Sequence, residues 1–315
     1  MEAVYVLGVG MTAFGKQIER SVKDLTRDAV EAALRDAGAE RSDLQSAHFS
    51  NACQGHMQGQ DLIRGEIALR TMGIEGIPVT NVENACASAS TAFHGALQFL
   101  RAGMGEVALA VGVDKMYSTD RVKMFSVFDS GWDVETAEQN RERLLSLGAG
   151  VTVPEGTTSN RPYSAMMDVY AAWARFHMRT FGTTREQIAA VSAKNHRHSI
   201  HNPLSQYRRG YSVDEVLAAP PITYPLTLPM CAPISDGAAA AVLVTESALR
   251  RFDRRPAVRV HASVLASGIE RRPEEVGKHI GRRAALQAYA QAGLGPEDMS
   301  LAEVHDATAM GEIIQ

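Results

Sequence analysis

The sequence predicts an α/β layered fold in which a first half is partly repeated and a separate lobe is inserted. Three observations carry this reading. Short apolar runs alternate with helically spaced stretches over residues 1–115. The texture then turns polar, aromatic and histidine-rich over 116–229. Finally, a gap-free internal repeat links the two ends of the chain.

In order, residues 3–8 read as a short buried strand. Residues 24–36 show helical spacing through Leu25, Ala29, Ala33 and Leu34, closed by Gly38. Strand signals follow at 47–51, 79–82 and 107–113, the last fully apolar. Between them lie a helix over 62–72, stopped by Gly73, and a central helix over 86–101. The inserted lobe carries helical patterns at 165–181 and 185–198. A buried strand at 236–244 then completes the first sheet. Arg27, Ala29, Ala33, Ala37, Gly38, Asp43 and Ala47 recur at constant offset as Arg282, Ala284, Ala288, Ala292, Gly293, Asp298 and Ala302. A helix ending in Ala-Gly, an acidic turn and a strand are therefore expected twice, the second copy stopping just beyond its second strand. The resulting division is 1–115 with 230–248 as a first half, 116–229 as a lobe, and 249–315 as the first part of a second half.

With 315 residues, 45% of them hydrophobic, the chain has ample material for a core. A net charge of −4 excludes a general nucleic-acid surface while leaving room for a local basic patch. Three cysteines make no disulfide framework and fit a reducing compartment. The N-terminal apolar run lacks a basic flank, and no apolar stretch reaches the roughly 20 residues needed to span a bilayer. The expectation is a cytoplasmic protein that binds neither membrane nor nucleic acid.

Several motifs compete for function. Gly8-Val9-Gly10-Met11-Thr12-Ala13 fits a dinucleotide fingerprint, with Glu31 at the distance of a ribose contact. The polar, non-periodic stretch 14–20 is where the helix should open, which argues against that reading. Cys53, His56, His196, His198 and His201 could be assembled into a zinc site, but no spacing pairs them. Lys194, Arg197, Arg208 and Arg209 form a basic run that is either a solvated face or a landing surface for phosphates. Cys86 falls where the pattern changes from strand to helix. A thiol there would feel unpaired N–H groups and the positive end of the helix dipole, which lower its pKa and can hold an oxyanion. Asn84 would be the N-cap, and the small residues Ala87, Ser88, Ala89 and Ser90 place this helix in the interior. His305 falls at the tip of the repeated strand, the edge where open sheets bind ligands.

Four segments, Asn84-Ala85-Cys86-Ala87-Ser88, Lys194–Asn202-Pro203, Cys231–Ala240 and Glu303-Val304-His305-Asp306, together resemble the thiolase superfamily, most closely its sterol-carrier-protein-X branch. The resemblance covers essentially the whole chain. It implies two βαβαβαββ halves stacked α-β-α-β-α, the second incomplete here, with a lobe covering coenzyme A. It implies cleavage of a 3-ketoacyl-CoA by CoA, or the reverse Claisen condensation, through an acyl-Cys86 intermediate. His305 would stabilise the enolate. Cys231, Ala232 and Pro233 would line the acyl or pantetheine channel, and Cys53 would lie near a subunit interface. No bound cofactor is implied, CoA being a substrate. A homodimer or tetramer is implied, built around residues 78–85, and some relatives carry a small OB-fold partner. The family's Gly-His-Pro and Cys-x-Gly motifs, which supply a base and a proton shuttle, do not follow His305, and neither Cys53 nor Cys231 replaces them by position. A piece of a longer polypeptide is therefore expected. The alternatives are a retro-aldolase of the same fold acting on steroid side-chain CoA esters, against which Cys86 counts, and a non-catalytic thiolase-like partner.

Overall fold

The computed structural model describes residues 2–252 and 257–315. In chain order its first elements are β1 (Val4–Met11), α1 (Val22–Ala37), β2 (Ser46–Ser50), α2 (Gln54–Gln58), α3 (Arg64–Arg70), β3 (Val79–Val82), α4 (Ser88–Arg101) and β4 (Val107–Lys115). Helices α5 (Arg121–Ser126), α6 (Ala137–Leu145), α7 (Ala165–Phe181), α8 (Arg185–Ser199) and α9 (Val213–Ala218) follow, then β5 (Pro221–Thr223) and β6 (Leu226–Thr227). The chain continues through β7 (Asp236–Thr245), β8 (Val258–Arg259), α10 (Ile280–Ala292) and α11 (Ala309–Ile314). Two compact units result. One is drawn from Met1–Tyr117, Ser235–Glu270 and Gly277–Asp298, the other from Ser118–Ile234, Arg271–Val276 and Met299–Gln315. Residues 249–315, expected to open a half of their own, are divided between these units.

The first unit is built on a six-stranded sheet of order β3-β2-β4-β7-β1-β8. Strands β2, β3 and β4 run parallel because helical crossovers join them, whereas β7 enters antiparallel between β4 and β1. Both faces of the sheet are covered. On β4, Val107, Leu109, Val111 and Val113 pack with Leu25, Ala29, Val30 and Ala33 of α1, while the alternate residues Ala108 and Ala110 pack with Ala96, Leu97 and Leu100 of α4. This period of two explains why the strand reads as an unbroken apolar run. Helix α1 opens on a reciprocal capping box between Ser21 and Asp24 and stops at Gly38, whose φ of 63° suits a residue without a Cβ. The glycines of the dinucleotide-like motif lie inside β1 rather than in a loop. A Cβ on Gly8 would sit 2.2 Å from the Ala37 nitrogen, and one on Gly10 would sit 2.4 Å from the Ala29 oxygen, so they serve close packing of α1 on the sheet.

Asp236 marks the point where β7 begins. Its fully buried carboxylate accepts the N–H groups of Gln17, Met116 and Tyr117 at 2.9, 2.8 and 2.7 Å, and Lys115 lies 3.6 Å away. The C-terminal end of β4 and the start of β7 are thereby held together, which fixes the two points where the chain leaves and rejoins the sheet.

The repeat is present in part. Helix α10 stops at Gly293 with φ 68°, as α1 stops at Gly38, and a short 3-10 turn follows each, at Arg41–Asp43 and Pro296–Asp298. The second strand of the second copy does not form. Residues 299–306 are irregular, whereas their counterpart β2 is buried throughout. The reason is cooperative: β2 is hydrogen-bonded on both sides, to β3 and β4, while 299–306 has no such neighbours among the described residues.

The second unit centres on Ala171 and Ala174 of α7, Ile188, Ala189 and Ala193 of α8, Val216 of α9, and Leu226, Met230, Ala309 and Met310. Alanines at the contact let the helices approach closely. Ser164, Thr184 and Ser212 cap α7, α8 and α9 through their side-chain oxygens, so the polar texture of this lobe includes its helix starts.

Candidate active site

Strand β3 leads into Asn84 and Ala85, a 3-10 turn over Ala85–Ala87, and only then α4. Cys86 therefore sits in this turn, two residues ahead of the helix, instead of opening it. Asn84 is not a side-chain cap; its amide donates to Thr91 Oγ1 at 2.9 Å. Ala85 has φ 46°, in the left-handed region that L residues rarely adopt. Gly112 of β4 makes room here, since a Cβ on it would lie 2.7 Å from that of Ala89. The helix is not wholly interior. Ala92, Ala96, Leu97 and Leu100 face the sheet, while Ala85, Cys86, Ala87, Ala89 and Ser90 are exposed.

The electrostatics of Cys86 reverse the expected direction. Although exposed by area, the thiol is flanked by enough protein to lose hydration, and this raises its pKa above the ordinary thiol value. The negative charge of Asp114 adds to the rise, while the N–H of Cys86 itself opposes it. Helix α4 itself begins two residues later, at Ser88.

Asp114, near the end of β4, escaped the sequence reading; the signal was a carboxylate closing an otherwise apolar strand. Its Oδ1 accepts the N–H groups of Ala52 and Cys53 and the Cys53 thiol, each at 3.0 Å. Burial raises the pKa of both side chains. Cys53 is thus an interior residue of this unit. A Cys-x-Gly triplet occurs at Cys53-Gln54-Gly55, well before His305, and its buried thiol is already engaged with a carboxylate.

Residues 194–203, 231–234 and 303–306 lie in the second unit, while the rest of the 231–240 segment belongs to the first. Asn195 on α8 donates through Nδ2 to Asp306 at 2.8 Å and to Glu312 at 3.0 Å, and Lys194 pairs with Glu312. Lys194 is consequently bound to a carboxylate of its own unit rather than presented as an open phosphate contact, whereas Arg197 and Arg208 are exposed. Burial raises the Asp306 pKa, helped by the charge of Glu312. His305 is exposed in an irregular segment, not at the tip of a strand, because that strand does not form. Cys231 bridges Thr308, and the Ala232 N–H donates to Ala307 at 3.0 Å, so these residues run beside the His305 segment. Burial pushes the Cys231 thiol up to about 12, while Ala232 and Pro233 are exposed. His196 lies 3.2 Å from the Pro229 carbonyl and packs edge-on against Tyr211. Among the described residues no group of three His, Cys, Asp or Glu side chains is arranged for a metal ion, and no helix is long and apolar enough to cross a membrane.

The thiolase N-terminal domain family matches residues 4–210, about two thirds of the chain. The chain belongs to the thiolase family. Human sterol carrier protein 2 is 33% identical to this chain over 324 residues, covering 100% of the chain and 56% of the relative. An acetyl-CoA acetyltransferase of Methanothermobacter thermautotrophicus is 34% identical over 317 residues, covering 100% and 76%. The chain spans little more than half the length of the sterol carrier protein 2 relatives it matches. Among solved structures, the Ltp2-ChsH2(DUF35) aldolase superposes with a TM-score of 0.73 at 23% identity, covering 98% of this chain and 74% of that one. Human mitochondrial 3-ketoacyl-CoA thiolase in complex with CoA gives 0.70 at 19%, covering 99% and 81%. The fold is thiolase-like, and its βαβαβαββ half is made of strands β1, β2, β3, β4 and β7 with the helices between the first four, β8 adding a sixth strand to the sheet.

Proposed function

We propose that this thiolase acts in acyl transfer on CoA thioesters, with Cys86 as the nucleophile. The observation that carries the reading is an exposed thiol held on a left-handed turn between a sheet strand and a helix. In the degradative direction Cys86 Sγ attacks the 3-keto carbon of a 3-ketoacyl-CoA. The bond between C2 and C3 breaks, its electron pair leaves as the acetyl-CoA enolate, and the enolate is protonated. The thiol of free CoA then displaces the acyl group from sulfur. Attack requires a base to take the thiol proton, and the burial that raises the Cys86 pKa adds to that need. The N–H of Cys86 is a donor for the oxyanion, and His305 a donor for the enolate oxygen. Residues Cys231–Pro233 would line the acyl path, and Arg197 with Arg208 would meet the CoA phosphates. Copies of the chain would pair through β3, whose outer edge has no strand beside it among the described residues.

A retro-aldol reaction is the second reading, favoured by the similarity to the Ltp2-ChsH2(DUF35) aldolase; that likeness bears on fold, and such chemistry has no use for an acylated thiol. Intact mass after incubation of the full-length protein with acetoacetyl-CoA separates them. The expected result is an acetyl increment that maps to Cys86 and vanishes in Cys86→Ala. No increment in a folded full-length protein sinks the acyl-enzyme reading.

A further inference from the structure

Ser88 is 4% exposed in a run where Ala85, Cys86, Ala87, Ala89 and Ser90 are all exposed. Its hydroxyl is used twice. It donates to the Ala85 carbonyl at 2.7 Å and accepts the Asn84 N–H at 2.8 Å. The Ala85 carbonyl belongs to the peptide just after Ala85, the residue with φ 46°, and the Asn84 N–H belongs to the Glu83–Asn84 peptide, one peptide further back, so one hydroxyl braces the chain before and after the left-handed residue. The Ser88 N–H also donates to the Ala85 carbonyl. That carbonyl shares a rigid peptide plane with the Cys86 N–H, and fixing one end of the plane fixes the direction of the other. Glu83 holds the Ala85 N–H at 2.6 Å, and Thr91 Oγ1 donates to the Ala87 carbonyl at 2.8 Å, so backbone groups on both sides of Cys86 are pinned by side chains.

We infer that Ser88 is a positioning residue whose hydroxyl aims the Ala85–Cys86 peptide, so that the Cys86 N–H points at the oxyanion formed when Cys86 Sγ attacks a carbonyl. This rests on the reading of Cys86 as the nucleophile. A role in aiming an N–H separates two reactions of one thiol. Acylation by a thioester builds an oxyanion and needs that N–H, whereas alkylation by iodoacetamide is a direct displacement and does not.

The test compares both rates on Cys86 in the full-length protein, for the parent, Ser88→Ala and Ser88→Thr. Ser88→Ala is expected to slow acylation by acetoacetyl-CoA by about tenfold to a hundredfold, to slow alkylation by less than about threefold, and to leave the substrate KM and the thermal midpoint near the parent's. Ser88→Thr, which keeps the hydroxyl, restores acylation. Should Ser88→Ala fail to fold, Ser88→Cys keeps the volume with a weak donor, and peptide mapping confines both rates to Cys86. Equal slowing of the two reactions, or acylation unchanged while the parent is acylated, overturns the role of Ser88 alone. A parent never acylated on Cys86 overturns the nucleophile and Ser88 together.

Discussion

Helices α1 and α10 carry the same local signals and meet different fates. Each has alanines at matched positions, each ends at a left-handed glycine, and each is followed by a 3-10 turn closing on an aspartate. Yet α1 buries Val22, Leu25, Thr26, Ala29, Val30, Ala33, Leu34 and Ala37, while α10 buries none of its residues. After the first turn comes a fully buried strand; after the second comes irregular chain. Helix, stop and turn are written within a dozen residues, because capping and backbone conformation are local matters. A strand is written across the sheet, because half of its hydrogen bonds belong to someone else.

The largest test of this contrast uses matched residues. Leu25 is 0% exposed and its counterpart Ile280 is 37% exposed. Leu25→Ala is expected to cost about 3 kcal/mol, the usual range for emptying a packed leucine site. Ile280→Ala should stay within about 0.5 kcal/mol. Urea denaturation of both variants measures the difference, and equal losses would mean that α10 is packed in solution as tightly as α1.

A smaller effect should be shared by the two copies. Gly38→Ala and Gly293→Ala each force an L residue to φ above 60°, at a cost of about 1 kcal/mol. Amide hydrogen exchange over the last turn of each helix should report similar loss of protection in both variants. Unequal loss would show that tertiary packing, not the local stop, sets the helix end.

The smallest effect concerns β2, the strand whose second copy is missing. His48 is buried against Phe99, a Cβ on Gly95 would touch its ring, and among the described residues its Nδ1 has no hydrogen-bond partner. Burial lowers its pKa below the usual histidine value. The folded state thus prefers the neutral ring, and the unfolded state takes up the proton first as pH falls. Stability is full above the unfolded pKa of about 6.5 and is lost as pH drops through it toward the folded value. His48→Gln should flatten this dependence by up to about 1 kcal/mol between pH 7 and 5, followed by urea midpoints. An unchanged slope would assign the pH dependence to other groups.

Much of the candidate site was also legible, to different depths. The position of Cys86 at a strand-to-helix junction could be read from the change of period, and so could the insertion between β4 and β7. The direction of its pKa could not, because desolvation depends on what surrounds the sulfur, and the charge of Asp114 on β4 acts on it only because β2 pairs with both β3 and β4. Lys194 looked like a free cation in sequence. It is engaged by Glu312, more than a hundred residues away. The double use of the Ser88 hydroxyl depended on the φ of Ala85, which no pattern of residue types announces.

By itself the sequence determined the alternation of strands and helices, the glycine stops, the duplicated helix and turn, and the cysteine placed ahead of the central helix. These rest on interactions reaching four residues or so along the chain. The tertiary structure decided which copy of a repeated strand enters a sheet, which cations are already paired, which cysteines are buried, and how hard it is to ionise the one that is exposed. Those outcomes depend on neighbours far away in sequence, whose hydrogen bonds, charges and exclusion of water act only once the chain has brought them together.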